Sequence, residues 1–273
     1  MIQENPAVKT FGLGRGRAWL RGGLRLVGKA PELWMAMALV YLAIGFLFNL
    51  LPFVGRLVMV LLTPLFAAGA FALASELDQA APAGPLFAPG EPPSARARKV
   101  LEVLKQAAGR LFSGFNDLDR ALPIMIVGAL ALGGVVFIQI LVQVLKVGTH
   151  TLSVVFGSAI GITALLPTLL SLIAVVAVEI AFAMALVYVI PLILFQNLAP
   201  LSALRVSFVT SLANALSLAA FAGVFLLGFV VLQWLFGLVG GFAYIGYFVL
   251  GAALLPVLVA GVYYSYRDMR AAP

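Results

Sequence analysis

The sequence predicts an all-α membrane protein: a six-helix transmembrane bundle made of three repeats, each an interfacial amphipathic helix followed by a transmembrane hairpin. Three observations carry that reading. The chain has 273 residues, of which 63% are hydrophobic and only 10% charged. Its charges are separated by apolar stretches long enough to cross a bilayer. Helical-period segments with a polar arc precede pairs of those stretches. Soluble domains run about 45–50% apolar and about 25% charged, and a mean hydropathy of +1.13 is too high for a globule of this size to bury in water. A soluble enzyme, a nucleic-acid-binding domain and a disordered regulator are therefore excluded. The net charge of +7 reads instead as basic residues anchoring the cytoplasmic face against anionic lipid.

A helix needs about 20 apolar residues to cross the hydrocarbon core. The gaps between charges place six spans at 33–53, 57–75, 122–145, 168–196, 212–235 and 243–266. The runs are continuously apolar, whereas a membrane barrel alternates polar and apolar positions, so the spans are helices that satisfy their own backbones in lipid. The segment 147–167, apolar but spotted with Gly148, Gly157, Gly161 and Ser153, is an outer-face segment. It reads as interfacial, re-entrant or an extension of a helix. Orientation follows from the Lys and Arg distribution. Of the 17 such residues, only Arg56 and Lys146 fall outside if both termini are cytoplasmic. No apolar signal-peptide core precedes residue 33, and Trp19, Trp34, Tyr263, Tyr264 and Tyr266 fit an aromatic belt at the inner face.

The units divide the chain at 1–78, a basic amphipathic helix with hairpin one; 79–94, a Pro-rich cytoplasmic linker; 95–197, an amphipathic helix with hairpin two; and 198–273, hairpin three with a short tail. In the first unit Arg17, Arg21, Arg25 and Lys29 share one arc of a helix, and they are expected to contact anionic lipid. The second unit sets Val100, Val103, Leu104, Ala107 and Leu111 opposite Arg98, Lys99, Lys105 and Arg110. The third, over 202–214, has an arc of Ser207, Thr210, Ser211 and Asn214. The second helix of each hairpin carries a proline (Pro64, Pro191, Pro256), which removes a donor and kinks a helix. Every unit starts and ends inside, so the repeat axis should run along the membrane normal.

Catalytic constellations are thin, and no enzyme activity or cofactor is expected. Cysteine is absent and His150 is the single histidine, which rules out thiolate chemistry and a His-based zinc site. Ser153 near His150 makes only a weak Ser/His pair. The glycines Gly12, Gly14 and Gly16 lack a preceding strand, so they read as an arm and not a phosphate loop. Glu179 is the one ionisable residue inside a span, and such residues by default face protein or water. Gln139 and Gln143, one turn apart, are its expected neighbours. This polar cluster is either an ion pathway or a neutral carboxyl holding helices together, and the second reading is preferred. Asn49 reads as a helix-end residue, and Asn214 and Ser217 as interhelical hydrogen-bonding groups.

Four motifs point to a family. They are Leu51-Pro52-Phe53-Val54-Gly55, the Pro64 helix running into Ala74-Ser75-Glu76-Leu77-Asp78, the stretch with Ala203-Leu204, Ser207-Phe208 and Asn214, and Tyr264-Ser265-Tyr266-Arg267-Asp268. Together they resemble an uncharacterised family of bacterial inner-membrane proteins with about six spans. The resemblance implies a multi-pass inner-membrane protein and carries no activity or site residues. Two functions are weighed: a non-enzymatic accessory, scaffold or assembly protein working through lipid contacts and a membrane-protein partner, and a small transporter or channel with Glu179 near its pathway.

Overall fold

A computed structural model describes residues 10–51, 53–84, 86–88, 90–156, 161–238 and 243–270, with side chains described outside 147–167, 232 and 236–247. The elements of the described residues are all helices: α1 (Gly14–Val27), α2 (Pro31–Asn49), α3 (Val54–Gln79), α4 (Pro93–Leu111) with a 3-10 turn at Phe112–Phe115, α5 (Leu118–Phe156), α6 (Gly161–Leu186), α7 (Val189–Gln196), α8 (Pro200–Ala213), α9 (Ala215–Leu238) and α10 (Ala243–Arg270). Six stretches are long and apolar enough to span a membrane: Pro31–Asn49, Val54–Gln79, Leu118–Lys146, Thr168–Gln196, Ala215–Leu235 and Phe248–Arg270. The chain is a multi-pass, all-α membrane protein.

Proline sets several of the helix starts. Pro31, Pro93 and Pro200 open α2, α4 and α8, where the missing N–H would have had no partner and φ is already helical. Asn197 ends α7 in the left-handed conformation, with φ 52°, a stop that asparagine tolerates. The three prolines expected to kink their helices behave differently. α3 and α10 continue as helix through Pro64 and Pro256. The fourth span breaks between α6 and α7, just before Pro191. Ser207 repairs that break: its hydroxyl accepts from the Tyr188 amide at 3.0 Å and donates to the Met184 carbonyl at 2.9 Å.

Within the segment 147–167 the described residues, 147–156 and 161–167, are helix extensions, and 157–160 lie outside the described residues. α5 runs unbroken to Phe156 and α6 begins at Gly161. The proline-rich linker has no regular helix over its described residues 80–84, 86–88 and 90–92, and it is pinned at several points. The Ala83 amide donates to the Lys29 carbonyl at 2.7 Å, Lys99 reaches the Leu86 carbonyl and Glu91 at 3.1 and 3.0 Å, and Arg96 lies over the Phe87 ring.

One packing pattern occurs three times. Each short helix lies on a hairpin: α4 on α2 and α3, α8 on α6 and α7, and α1 on α9 and α10. The helices α3, α7 and α10 meet at the centre. There the Tyr188 and Ser265 hydroxyls are 3.1 Å apart, Phe195 stacks on Tyr266, and Leu65, Leu73, Val189 and Ala260 are buried. Close approach needs missing side chains. A Cβ on Gly23 would meet the backbone of Gly261 and Val257, and one on Gly69 would meet the Arg110 and Leu111 carbonyls. Such contacts draw the short helices tight against the spans.

Two expectations change. Trp19, Trp34, Tyr263 and Tyr266 are buried and form core, not a lipid-facing belt: α1 carries Trp19 onto Asp268 of α10, and Tyr263 and Tyr266 pack on Phe195 of α7. The Gly12–Gly16 stretch is no loose arm, since Gly14 and Gly16 begin α1. A Cβ on Gly16 would strike the Ser217 carbonyl, so this glycine lets α1 touch α9.

Candidate anionic-headgroup site

The basic arc of α1 rests on a buried opposite face. Trp19, Leu26 and three glycines seat the helix on α9 and α10, which leaves Arg17, Arg21 and Arg25 exposed. The seating forms a recess of about 210 Å³ lined by Arg15, Ala18, Arg21 and Arg25 from α1 and by Tyr264, Arg267 and Asp268 from α10. Four guanidinium groups thus face one carboxylate.

Two of the four are already committed. Arg15 grips Asp268 with both ends of its fork, Nε to Oδ2 at 2.6 Å and Nη2 to Oδ1 at 2.5 Å. The Trp19 indole N–H adds a third bond to Oδ2 at 2.8 Å. The hydrogen bond that Arg15 donates to Asp268 pushes the Arg15 pKa up from its ordinary value. Arg267 pairs with Asp78 of α3 and lies over the Tyr264 ring. Arg21 and Arg25 have no carboxylate within ion-pair distance among the described residues. Two unpaired forks beside an aromatic edge are suited to phosphate, which Arg recognises bidentately.

Lys29 leaves the arc. Its ammonium donates to the carbonyls of Leu77, Asp78 and Ala80 at 2.7, 2.9 and 2.9 Å, satisfying carbonyl groups at and just past the end of α3 that no further turn of helix would reach. Of the expected lipid-contacting set, Arg21 and Arg25 line the recess, Arg17 is exposed outside it, and Lys29 serves as a helix cap. Sequence reasoning missed Arg15, Tyr264 and Arg267. The only sequence signal for them was the Tyr264–Asp268 motif, which carried no role until the fold set it beside α1.

The polar cluster expected at Glu179 is not assembled. Glu179, Gln139 and Gln143 are all exposed, and among the described residues no hydrogen bond joins them. The reason is helical phase. Val175, Val178 and Phe182 are the half-buried side of α6, and Phe182 sits where a Cβ on Gly134 of α5 would fall. Glu179 is turned about 100° from Val178, off the α5 contact. Two cavities within the spans are lined without Glu179, Gln139 or Gln143. Asn49 is a helix-end residue as expected, its amide bonded to the Gly45 carbonyl at 2.9 Å. Asn214 and Ser217 bond the segment before α1: the Phe11 amide donates to Asn214 at 2.8 Å, and Ser217 donates to the Gly12 carbonyl at 2.9 Å. The side chains of His150 and Ser153 lie outside the described residues.

No protein-family model, curated protein or solved structure matches the chain.

Proposed function

We propose that this chain is a non-enzymatic accessory, scaffold or assembly protein of a bacterial inner membrane, with both termini cytoplasmic, and that it works through helix and lipid contacts. The observation that carries the reading is the arginine recess between α1 and α10. It sits at the end of the bundle where α1, α4 and the last turn of α10 gather most of the chain's Lys and Arg, the distribution that marks a cytoplasmic face. Its two unpaired guanidiniums match the phosphate of an anionic inner-leaflet lipid, a contact worth ~1 kcal/mol per cation near such a surface. The threefold recurrence of short helix on hairpin supports a parallel repeat about the membrane normal, a rigid shape suited to holding a partner.

The transporter reading with Glu179 near the pathway has less support, because Glu179 lines neither the recess nor either cavity in the spans. The test combines topology reporters at both termini with native mass spectrometry of Arg21→Gln/Arg25→Gln. Cytoplasmic reporters and a lost anionic lipid support the proposal. Unchanged lipid retention, or a terminus on the far side, removes it.

A further inference from the structure

The second site lies at the opposite end of the bundle from the arginine recess. A cavity of about 910 Å³ opens between hairpins one and three, near the upper limit of small-molecule sites, roughly 300–1,000 Å³. Its walls are mainly apolar, with Leu42 and Phe46 of α2, Met59 and Val60 of α3 and Phe248 of α10, and they also include Asn49 and Gln233. Arg56, in the first turn of α3, stands exposed at the rim. No carboxylate lies within ion-pair distance of it among the described residues.

The floor is Tyr41 and Thr63, two helical turns below Arg56, or about 10 Å along α3. Its hydrogen bonds are internally spent. The Thr63 hydroxyl has one proton and gives it to the Met59 carbonyl at 2.6 Å. The 3.1 Å contact between Tyr41 and Thr63 is therefore donated by Tyr41. With both donors used, the floor asks for no polar ligand. A rim cation without a counter-charge, mainly apolar walls and a satisfied floor are complementary to a molecule with an anionic head and a hydrocarbon tail.

We infer that this cavity is a lipid site: it takes one acyl chain of a phospholipid whose anionic headgroup rests on Arg56. The claim is independent of the recess on α1.

The test uses the purified full chain in phosphatidylcholine vesicles doped with phosphatidylglycerol carrying a photoreactive acyl chain, with photoreactive phosphatidylcholine as the control. Crosslinks should map to peptides spanning residues 41–63, and phosphatidylglycerol should exceed phosphatidylcholine roughly tenfold, the scale of one charge-assisted contact. Arg56→Gln should lower the phosphatidylglycerol signal to the phosphatidylcholine level. Gly45→Leu should abolish both signals. A Cβ there meets only the Met59 methyl at 3.6 Å, so the added side chain projects into the cavity without displacing backbone. Val60→Phe fills the same space from α3 and serves if Gly45→Leu fails to fold. Crosslinks spread evenly over the spans, equal signals for the two headgroups, or a signal that survives filling in a folded variant would each overturn the inference.

Discussion

The two ends of this bundle are held by different means. At the end carrying α1, charge ties helices together: Arg15 to Asp268, Arg267 to Asp78, Arg110 to Glu76 and Lys29 to the end of α3. These links join α1, α3, α4 and α10, elements far apart in sequence. At the end carrying the α2–α3 turn, the cation Arg56 has no counter-charge among the described residues and a large cavity stands between the hairpins. Polar side chains spent on one another make a stiff platform. A cation left unspent makes a place for something else to bind.

The comparison can be broken hardest at the platform. Gly23→Leu should be the most damaging change, because its Cβ would run into the backbone of Gly261 and Val257, which cannot swing aside as a side chain can. Overpacking costs about 1–3 kcal/mol and sometimes more, and it should appear as a lowered melting temperature in detergent and exposure of Trp19 to a fluorescence quencher. Asp268→Asn comes next. The carboxylate takes three hydrogen bonds from Arg15 and Trp19, and its loss should cost about 1–3 kcal/mol, discounted toward the lower figure because Arg15 is half exposed. Lys29→Met should cost about 1 kcal/mol by uncapping α3, with faster amide exchange at residues 80–83 as its signature. Unchanged exchange there would refute the cap.

The smallest effect sharpens the contrast at the linker. The Lys99 ammonium and the Ala88 amide hold the Glu91 carboxyl below its ordinary value of 4.5. A depressed carboxyl adds stability that is present above its unfolded value and is lost as pH falls through the lower folded one. The linker clip should therefore persist at pH 4.5 and release only in more acid solution. A carboxyl-observed NMR titration of Glu91 checks this, and Lys99→Met should move the midpoint up toward the ordinary value.

What the sequence made legible was whatever depends on composition and period. Charge gaps located the spans, with α2 at Pro31–Asn49 against an expected 33–53 and α9 at Ala215–Leu238 against 212–235, because a bilayer demands an uninterrupted apolar run of set length. The exposed arc of α1 was legible for the same reason. The partner of a charge was not. Lys29 shares its arc with Arg17, Arg21 and Arg25, and only the return of α3 beneath it turns it into a cap. Glu179 failed from the other side. Its cost in lipid argued for an inward direction, but inside and outside on α6 are set by which stripe meets α5, and a stripe of Val175, Val178 and Phe182 looks like any other in a helix that is apolar all round. Polar side chains such as Ser207 and Asn214 read as the polar side of an amphipathic helix, yet they are buried, because here they mend breaks and bind neighbouring backbone.

The seating of α1 on α10 carries a consequence for biosynthesis. Arg15 and Asp268 stand 253 positions apart, so α1 waits for that length of chain to be made before it meets its dock. At roughly 5–20 residues per second that delay is on the order of ten to fifty seconds. Throughout it the indole of Trp19 and the glycine face around it have no protein cover, and the headgroup layer is the natural place for them to wait. A nascent chain stalled before α10 keeps that face uncovered indefinitely. Docking of α1 onto α10 therefore reports that the spans between them have been delivered, and the uncovered face marks an unfinished chain for any quality-control protease that reads exposed apolar helix.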